Sequence, residues 1–251
     1  MTPISFASFR SSPIISVHEA LGADFLIWNQ MPVPKSYCKG VESEHKTIRN
    51  AAGLTDMSGI KKIWLKGEGA LELIDFLITR DCNKIKPGSA AYTALLDENG
   101  NLVDDAIVFH LSPQESDKFD ATWLICFGAG FGVDYLTKSL QDSKVVARAD
   151  DNKVCLMLQG PYAETVMERV VKGGLTKNPG RFEHGLFSIL DSDVMIARTS
   201  YSGEDGFEIF AESQDAVYIW DNLIANGALP VGFDAIDIAR IEAGLLFFGR
   251  D

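Results

Sequence analysis

Two carboxylates stand in surroundings that are otherwise apolar. Asp105 lies in Leu102-Val103-Asp104-Asp105-Ala106-Ile107-Val108-Phe109-His110-Leu111, which reads as a strand after an Asn99-Gly100 turn. Strand side chains alternate faces, so Val103, Asp105, Ile107, Phe109 and Leu111 form one row, with Asp105 its sole polar member. A carboxylate in such a row loses hydration and requires a hydrogen-bond donor or a cation in exchange. A solvated Asp near a strand end, or one turned outward by a bulge, fits the same pattern. Glu208, between Phe207 and Ile209, faces opposite to both and alongside Phe210. An ordinary sheet edge with Glu208 in solvent also fits.

Other reactive side chains form no pattern of this kind. Cys38, Cys82, Cys126 and Cys155 show no CxxC spacing, so no zinc or redox motif is indicated, and Cys126 and Cys155 read as core thiols. No metal site is expected. Gly128-Ala129-Gly130-Phe131-Gly132 departs from GxGxxG, so a nucleotide-binding oxidoreductase rests on this loop alone. His184 reads as a surface or packing residue.

The elements that must hold these residues alternate between strands and helices. Phe25–Trp28, Ile63–Lys66, Ser89–Leu96, Leu102–Leu111, Thr122–Phe127, Val154–Leu158, Phe187–Leu190 and Val194–Thr199 read as strands. Glu42–Ala52, Gly69–Ile78, Val133–Leu140, Tyr162–Val171 and residues 214–225 read as helices, with Ser213 as a candidate cap. A last helix runs to Gly244 behind a candidate Asp234 cap. Residues 1–16 are Ser- and Pro-rich and are expected on the surface. The mixture predicts an α+β fold of mixed and antiparallel sheets flanked by helices. The division expected is a discontinuous domain from residues 1–50 and 145–251, with residues 51–144 inserted and carrying the Asp104-Asp105 hairpin.

The 251 residues carry a net charge of −12. No run of Lys and Arg is present to neutralise phosphates, which argues against nucleic-acid binding. No apolar run reaches bilayer length, and no basic segment followed by an apolar one opens the chain, so no membrane association is expected and the pattern reads as cytoplasmic.

Three segments together resemble the tetrahydrofolate-dependent aminomethyltransferase family, the T-protein of the glycine cleavage system and its relatives. They are Asp97-Glu98-Asn99-Gly100-Asn101-Leu102-Val103-Asp104-Asp105, Arg198-Thr199-Ser200-Tyr201-Ser202-Gly203-Glu204-Asp205-Gly206-Phe207-Glu208, and Gly232-Phe233-Asp234-Ala235-Ile236-Asp237-Ile238-Ala239-Arg240-Ile241-Glu242-Ala243-Gly244. His18-Glu19-Ala20-Leu21-Gly22-Ala23, Ala52-Gly53-Leu54-Thr55-Asp56 and Gln159-Gly160-Pro161 add to the likeness. The resemblance implies a folate-binding fold followed by a C-terminal β-barrel. The chain ends just after the third segment, so the expected fold lacks the barrel and leaves Leu245-Leu246-Phe247-Phe248 in need of a cover.

By the same resemblance, Asp105 is the catalytic aspartate, placed to stabilise an iminium-like or onium one-carbon unit or to orient the attacking nitrogen. Glu208 is the pterin-binding glutamate, able to accept two parallel N–H bonds. Tyr92 and Tyr201 line the folate channel, with Ile60, Trp64 and Phe109 as further lining, although Trp64 and Phe109 equally suit the core. The implied cofactor is tetrahydrofolate. The implied reaction moves an aminomethyl group from a lipoyl carrier protein as methylene, releasing ammonia. Alternatives are demethylation of a small sulfonium, amine or methoxy compound, and non-catalytic folate binding. Four positions depart from the T-protein pattern: Ile236 replaces an Arg, Gly128 an Asn, and Gly59-Ile60 a His-Met pair.

Overall fold

A computed structural model describes the chain apart from residues 1–3, 5, 142 and 176–178. Along the chain run α1 (Ile15–Ala20), β1 (Asp24–Trp28), β2 (Met31–Ser36), α2 (Val41–Asn50), β3 (Gly53–Asp56), β4 (Lys61–Lys66), α3 (Ala70–Leu77), a 3₁₀ turn (Cys82–Lys84), β5 (Ser89–Leu96), β6 (Leu102–His110), α4 (Pro113–Phe119), β7 (Trp123–Phe127), α5 (Gly132–Ser139), β8 (Val146–Asp150), β9 (Lys153–Gln159), α6 (Ala163–Val170), β10 (His184–Ile189), β11 (Ser192–Ala197), β12 (Gly206–Glu212), α7 (Ala216–Ala225), β13 (Leu229–Pro230) and α8 (Phe233–Glu242). No described helix is long and apolar enough to cross a membrane.

The chain divides into two compact units, one of residues 1–8, 60–151 and 247–251, the other of residues 9–59 and 152–246. In the first, five antiparallel strands lie in the order β5-β6-β7-β4-β8. Ile63, Leu65, Val108, Ile125 and Phe127 pack from one face of this sheet against Ile74 and Leu77 of α3 and Leu136 of α5. The alternation of β4 and β6 puts Trp64, Asp105 and Phe109 on the opposite face.

In the second unit, six strands run β10-β11-β12-β9-β3-β13, antiparallel except for the β3–β13 pair. Leu54, Leu156, Leu158, Ile196, Phe207 and Ile209 form a core with Val166 and Met167 of α6 and Ile219, Trp220 and Leu223 of α7. Period-2 apolar strands meeting period-3.6 helix stripes produce this layer packing. At about 0.8 kcal/mol per buried methylene, each Leu or Ile here favours the folded state by about 2 kcal/mol.

Several expectations need correction. In the Ser- and Pro-rich leader, Arg10, Ser12 and Ile14 are buried. Arg10 donates to the carbonyls of Asn29 (3.0 Å) and Gly59 (2.7 Å), so the segment is tied down rather than lying on the surface. Ser213 does not cap α7; its hydroxyl bonds the Asn152 carbonyl. Gly232 takes the N-cap position of α8, and Asp234 sits inside the first turn. Of the apolar run near the C-terminus, Phe247 is buried and Leu246 exposed. Within the first unit the Phe248 ring meets Phe131 edge-on at 5.9 Å.

Candidate functional site

The hairpin of β5 and β6 carries Asp105 and Tyr92. Its turn is organised by Asp97, whose carboxylate accepts the N–H groups of Asn99 (2.9 Å) and Asn101 (2.8 Å), while Gly100 takes φ +82°. A register shift at Leu95/Leu96 brings Leu95 opposite Asp104 and Ala94 opposite Asp105. Tyr92, two residues from Ala94 on the same face, reaches the carboxylate, and its hydroxyl donates to Oδ2 of Asp105 at 2.9 Å. Asp105 is 9% exposed. Trp64 and Phe109 share that sheet face and are both buried; the Trp64 indole N–H donates to Asp150 at 2.8 Å, and its ring packs on Phe119. Ile60 is half-buried just before β4.

The neighbouring Asp104 points the other way and is wholly buried. It accepts three backbone N–H bonds, from Asp105 (2.8 Å), Ala129 (3.2 Å) and Gly132 (2.8 Å). Burial pushes its carboxyl above the usual range, and these bonds oppose the shift only in part. The glycine-containing loop is therefore tied to the hairpin by a carboxylate. One consequence is the placement of Gly128: a Cβ built there would lie 3.6 Å from Oδ1 of Asp105.

The second unit holds Glu208. Paired with Met157, which pairs in turn with Thr55, it lies on the sheet face opposite the α6/α7 core. The Thr199 hydroxyl donates to Oε2 at 2.6 Å. Burial pushes the Glu208 carboxyl up, and the Thr199 bond counters that only partly. Two residues on this face escaped the sequence reading. The amide of Gln159 and the hydroxyl of Thr55 are buried and have no hydrogen-bond partner among the described residues. A buried amide without partners costs free energy and marks a place where a ligand can supply them. The signal was a Gln ending an otherwise apolar strand, visible in Gln159-Gly160-Pro161.

The turn carrying Thr199 and Tyr201 is fixed by Arg49 of α2. Its guanidinium donates to the Ser202 carbonyl (2.8 Å), Glu204 (2.9 Å) and the Ala239 carbonyl (3.2 Å), and it pairs with Glu242. The half-buried Tyr201 donates its hydroxyl to the Leu246 carbonyl. Elsewhere in this unit, fully buried His18 contacts Asp56 at 3.0 Å and Tyr37 at 2.9 Å, and Ser12 and Ser58 complete the Asp56 shell. Burial works to raise Asp56, but the hydrogen bonds from His18, Ser12 and Ser58 and the charge of His18 hold it below the usual range.

Residues 14–251 match the GCVT N-terminal domain. The chain belongs to that family. It is 38% identical over 97% of its length to the heme-dependent oxidative N-demethylase gamma subunit of Ectopseudomonas mendocina, covering 64% of that protein. It is 32% identical to the aminomethyltransferase of Deinococcus deserti, covering 69% of it. The crystal structure of glycine cleavage system aminomethyltransferase T from Bartonella henselae matches 95% of the chain at TM-score 0.81 and 29% identity. The chain spans about two thirds of the length of these relatives.

Two departures within this GCVT domain have a physical counterpart. Ile236 is buried in α8 and presents no polar group. At Gly59 a Cβ would come within 2.5 Å of the Trp28 ring, so the indole fills the place a side chain would need. The Trp28 ring also packs 5.2 Å from that of Phe233.

Proposed function

We propose that this chain binds tetrahydrofolate and takes part in transfer of a one-carbon unit to it. The observation that carries the reading is Asp105, a nearly buried carboxylate in an apolar strand row, oriented by the Tyr92 hydroxyl. Tetrahydrofolate, when bound, supplies amine nitrogens that take up the one-carbon unit. The second unit's sheet fits an aminopyrimidine edge: Glu208 has acceptor capacity beyond Thr199, and the Gln159 amide and Thr55 hydroxyl await partners. Glu208 orients the ring by accepting N–H bonds, which also returns its raised carboxyl towards the ionised form. Asp105 stabilises positive charge on the migrating carbon, and the Tyr92 bond fixes the carboxylate in place beforehand. Tyr201 adds a flat face with a polar tip.

The donor has two readings. An aminomethyl group on a lipoyl carrier protein follows from the aminomethyltransferase relatives. A one-carbon unit released from a methylated amine, with this chain as one subunit of a larger assembly, is favoured by the 38% identity to the N-demethylase gamma subunit.

Calorimetric titration of the 251-residue chain with tetrahydrofolate under reducing conditions tests the proposal. Saturable binding is expected. Glu208→Gln should weaken it by about tenfold or more, since a hydrogen bond to a charged group is worth about 1.5–3 kcal/mol. Asp105→Asn should bind folate yet lose transfer. Unchanged affinity in Glu208→Gln, or full transfer by Asp105→Asn, refutes the assigned roles.

A further inference from the structure

The edge of the sheet that carries Asp105 holds a cavity that the one-carbon reading leaves unused. β5 is the outermost strand, paired on one side with β6. On its other side it meets only the bridge of Ile78 with Leu95 and the Thr79 N–H, which donates to the Ala94 carbonyl at 3.0 Å, among the described residues. Beyond Thr79 the chain leaves β5 for the 3₁₀ turn at Cys82–Lys84. The cleft between them is a cavity of about 370 Å³, lined by Thr79, Arg80, Tyr92, Thr93 and Ala94. That volume falls within the range of small-molecule sites, about 300–1,000 Å³.

The side chains of this cleft suit an anion. Arg80 is exposed, and its Nε–H donates to the Tyr92 carbonyl at 3.2 Å, which fixes the base of the guanidinium. Among the described residues no carboxylate pairs with it. The acidic groups nearest in sequence are engaged elsewhere: Asp81 pairs with Lys84 at 3.1 Å, and Asp75 accepts the Cys82 N–H at 2.7 Å. The Thr79 and Thr93 hydroxyls stand 3.3 Å apart, and that of Thr93 also reaches the Ala94 carbonyl at 3.3 Å. A guanidinium anchored through Nε keeps its terminal N–H groups for a planar carboxylate, and the Thr79 hydroxyl adds a donor. Tyr92 joins this cleft to the proposed reaction centre, since its carbonyl takes Arg80 and its hydroxyl takes Asp105. One tyrosine therefore separates a seat for negative charge from a carboxylate that favours positive charge.

We propose that Arg80, with Thr79, forms a carboxylate-binding subsite at the edge of β5. Its place beside Asp105 gains meaning from the one-carbon reading, on which that part of the inference rests. The carboxylate can belong to the glutamyl tail of tetrahydrofolate or to a separate small carboxylate. Either way it is held by the guanidinium in paired bonds, which a lysine ammonium reproduces only in part.

The probes are tetrahydrofolate, tetrahydropteroate, which lacks the glutamyl tail, and glutarate. Each is titrated into the full chain and into Arg80→Gln and Arg80→Lys, with calorimetry for the pterins and saturation-transfer NMR for glutarate. Melting temperatures confirm that the variants fold, as expected for an exposed side chain. Arg80→Gln should weaken a carboxylate-bearing probe about fivefold or more, Arg80→Lys should recover part of the loss, and tetrahydropteroate should bind all three chains alike. A loss confined to tetrahydrofolate assigns the subsite to the glutamyl tail; a loss confined to glutarate assigns it to a separate carboxylate. Unchanged affinity for both carboxylates in Arg80→Gln overturns the subsite and leaves the one-carbon reading standing. An equal loss for tetrahydrofolate and tetrahydropteroate also overturns it, because Arg80 would then act on something other than a carboxylate. Arg80-dependent glutarate binding in a chain that takes up neither pterin keeps the subsite and refutes the one-carbon reading. A wild type that binds none of the three refutes both.

Discussion

Replacing Asp104 should reveal how firmly the loop beside Asp105 is held. Asp104→Ala deletes three bonds at once, from the N–H groups of Asp105, Ala129 and Gly132. Hydrogen bonds to a charged group are worth about 1.5–3 kcal/mol each, which sets a gross loss of about 4.5–9 kcal/mol. The wild-type carboxylate itself suffers from burial, as its raised carboxyl shows, so part of the loss is refunded. The net expectation is a destabilisation of about 3–5 kcal/mol. Asp104→Asn keeps an acceptor for two of the N–H groups but turns an amide N–H₂ towards the third, and should cost about 2 kcal/mol. Because the folded carboxyl lies above its unfolded value, the wild type loses stability as pH rises from the unfolded value through the folded one. Both variants should lack that slope. Urea denaturation at several pH values measures the energies, and hydrogen exchange at Ala129 and Gly132 locates them. A loss below about 0.5 kcal/mol with both amides still protected would refute the reasoning.

Three further outcomes are expected. Asp56 is held below its usual range, so its contribution is present above the unfolded carboxylate value and lost as pH falls through the folded one; Asp56→Asn should flatten the acid limb of a stability-against-pH curve. Glu208 is raised, so Glu208→Gln should melt higher than wild type above the unfolded carboxylate value and no higher below it, compared by calorimetric scans at both ends. Arg49→Lys should weaken tetrahydrofolate binding nearly as much as Arg49→Met, because one ammonium cannot reproduce bonds to Ser202, Glu204, Ala239 and Glu242; recovery of full affinity by Lys would show that charge alone suffices.

Much of the fold was legible because its signals are local. The apolar row of β6, the stripe of α3 and the Phe207–Phe210 alternation each follow from adjacent residues. The misses are of two kinds. Some had a local signal that was passed over: Ser112-Pro113-Gln114-Glu115 spells a capping box with Pro at the first helical position, and it starts α4. Others had none. Val146-Ala147-Arg148-Ala149-Asp150 becomes an edge strand only because β4 offers its open side. The bonds of Asp104 reach Ala129 and Gly132, and those of Arg49 reach Ser202 and Ala239, across distances in sequence that periodicity does not report. Asp105 stood out by its apolar row, whereas for Gln159 the sequence offers only a polar residue ending an apolar strand, and the burial of its amide without a partner among the described residues shows only in the structure.

The interruption of one unit by the other also sets the order in which the chain can assemble. β3 finds its neighbour β9 through Gly53–Gln159 and Asp56–Leu156 pairings, with the whole of Ile60–Asp151 between them. On a ribosome, β3 emerges and must wait while about a hundred residues follow. Closing a disordered loop of that length carries an entropic cost and slows the search for register. A folded insert would replace that loop with a clamp whose two ends are already fixed. Lesions in the hairpin that carries Asp105 should therefore also slow pairing of β3 with β9 in the other unit, seen as a lag in refolding beyond what their loss of stability explains.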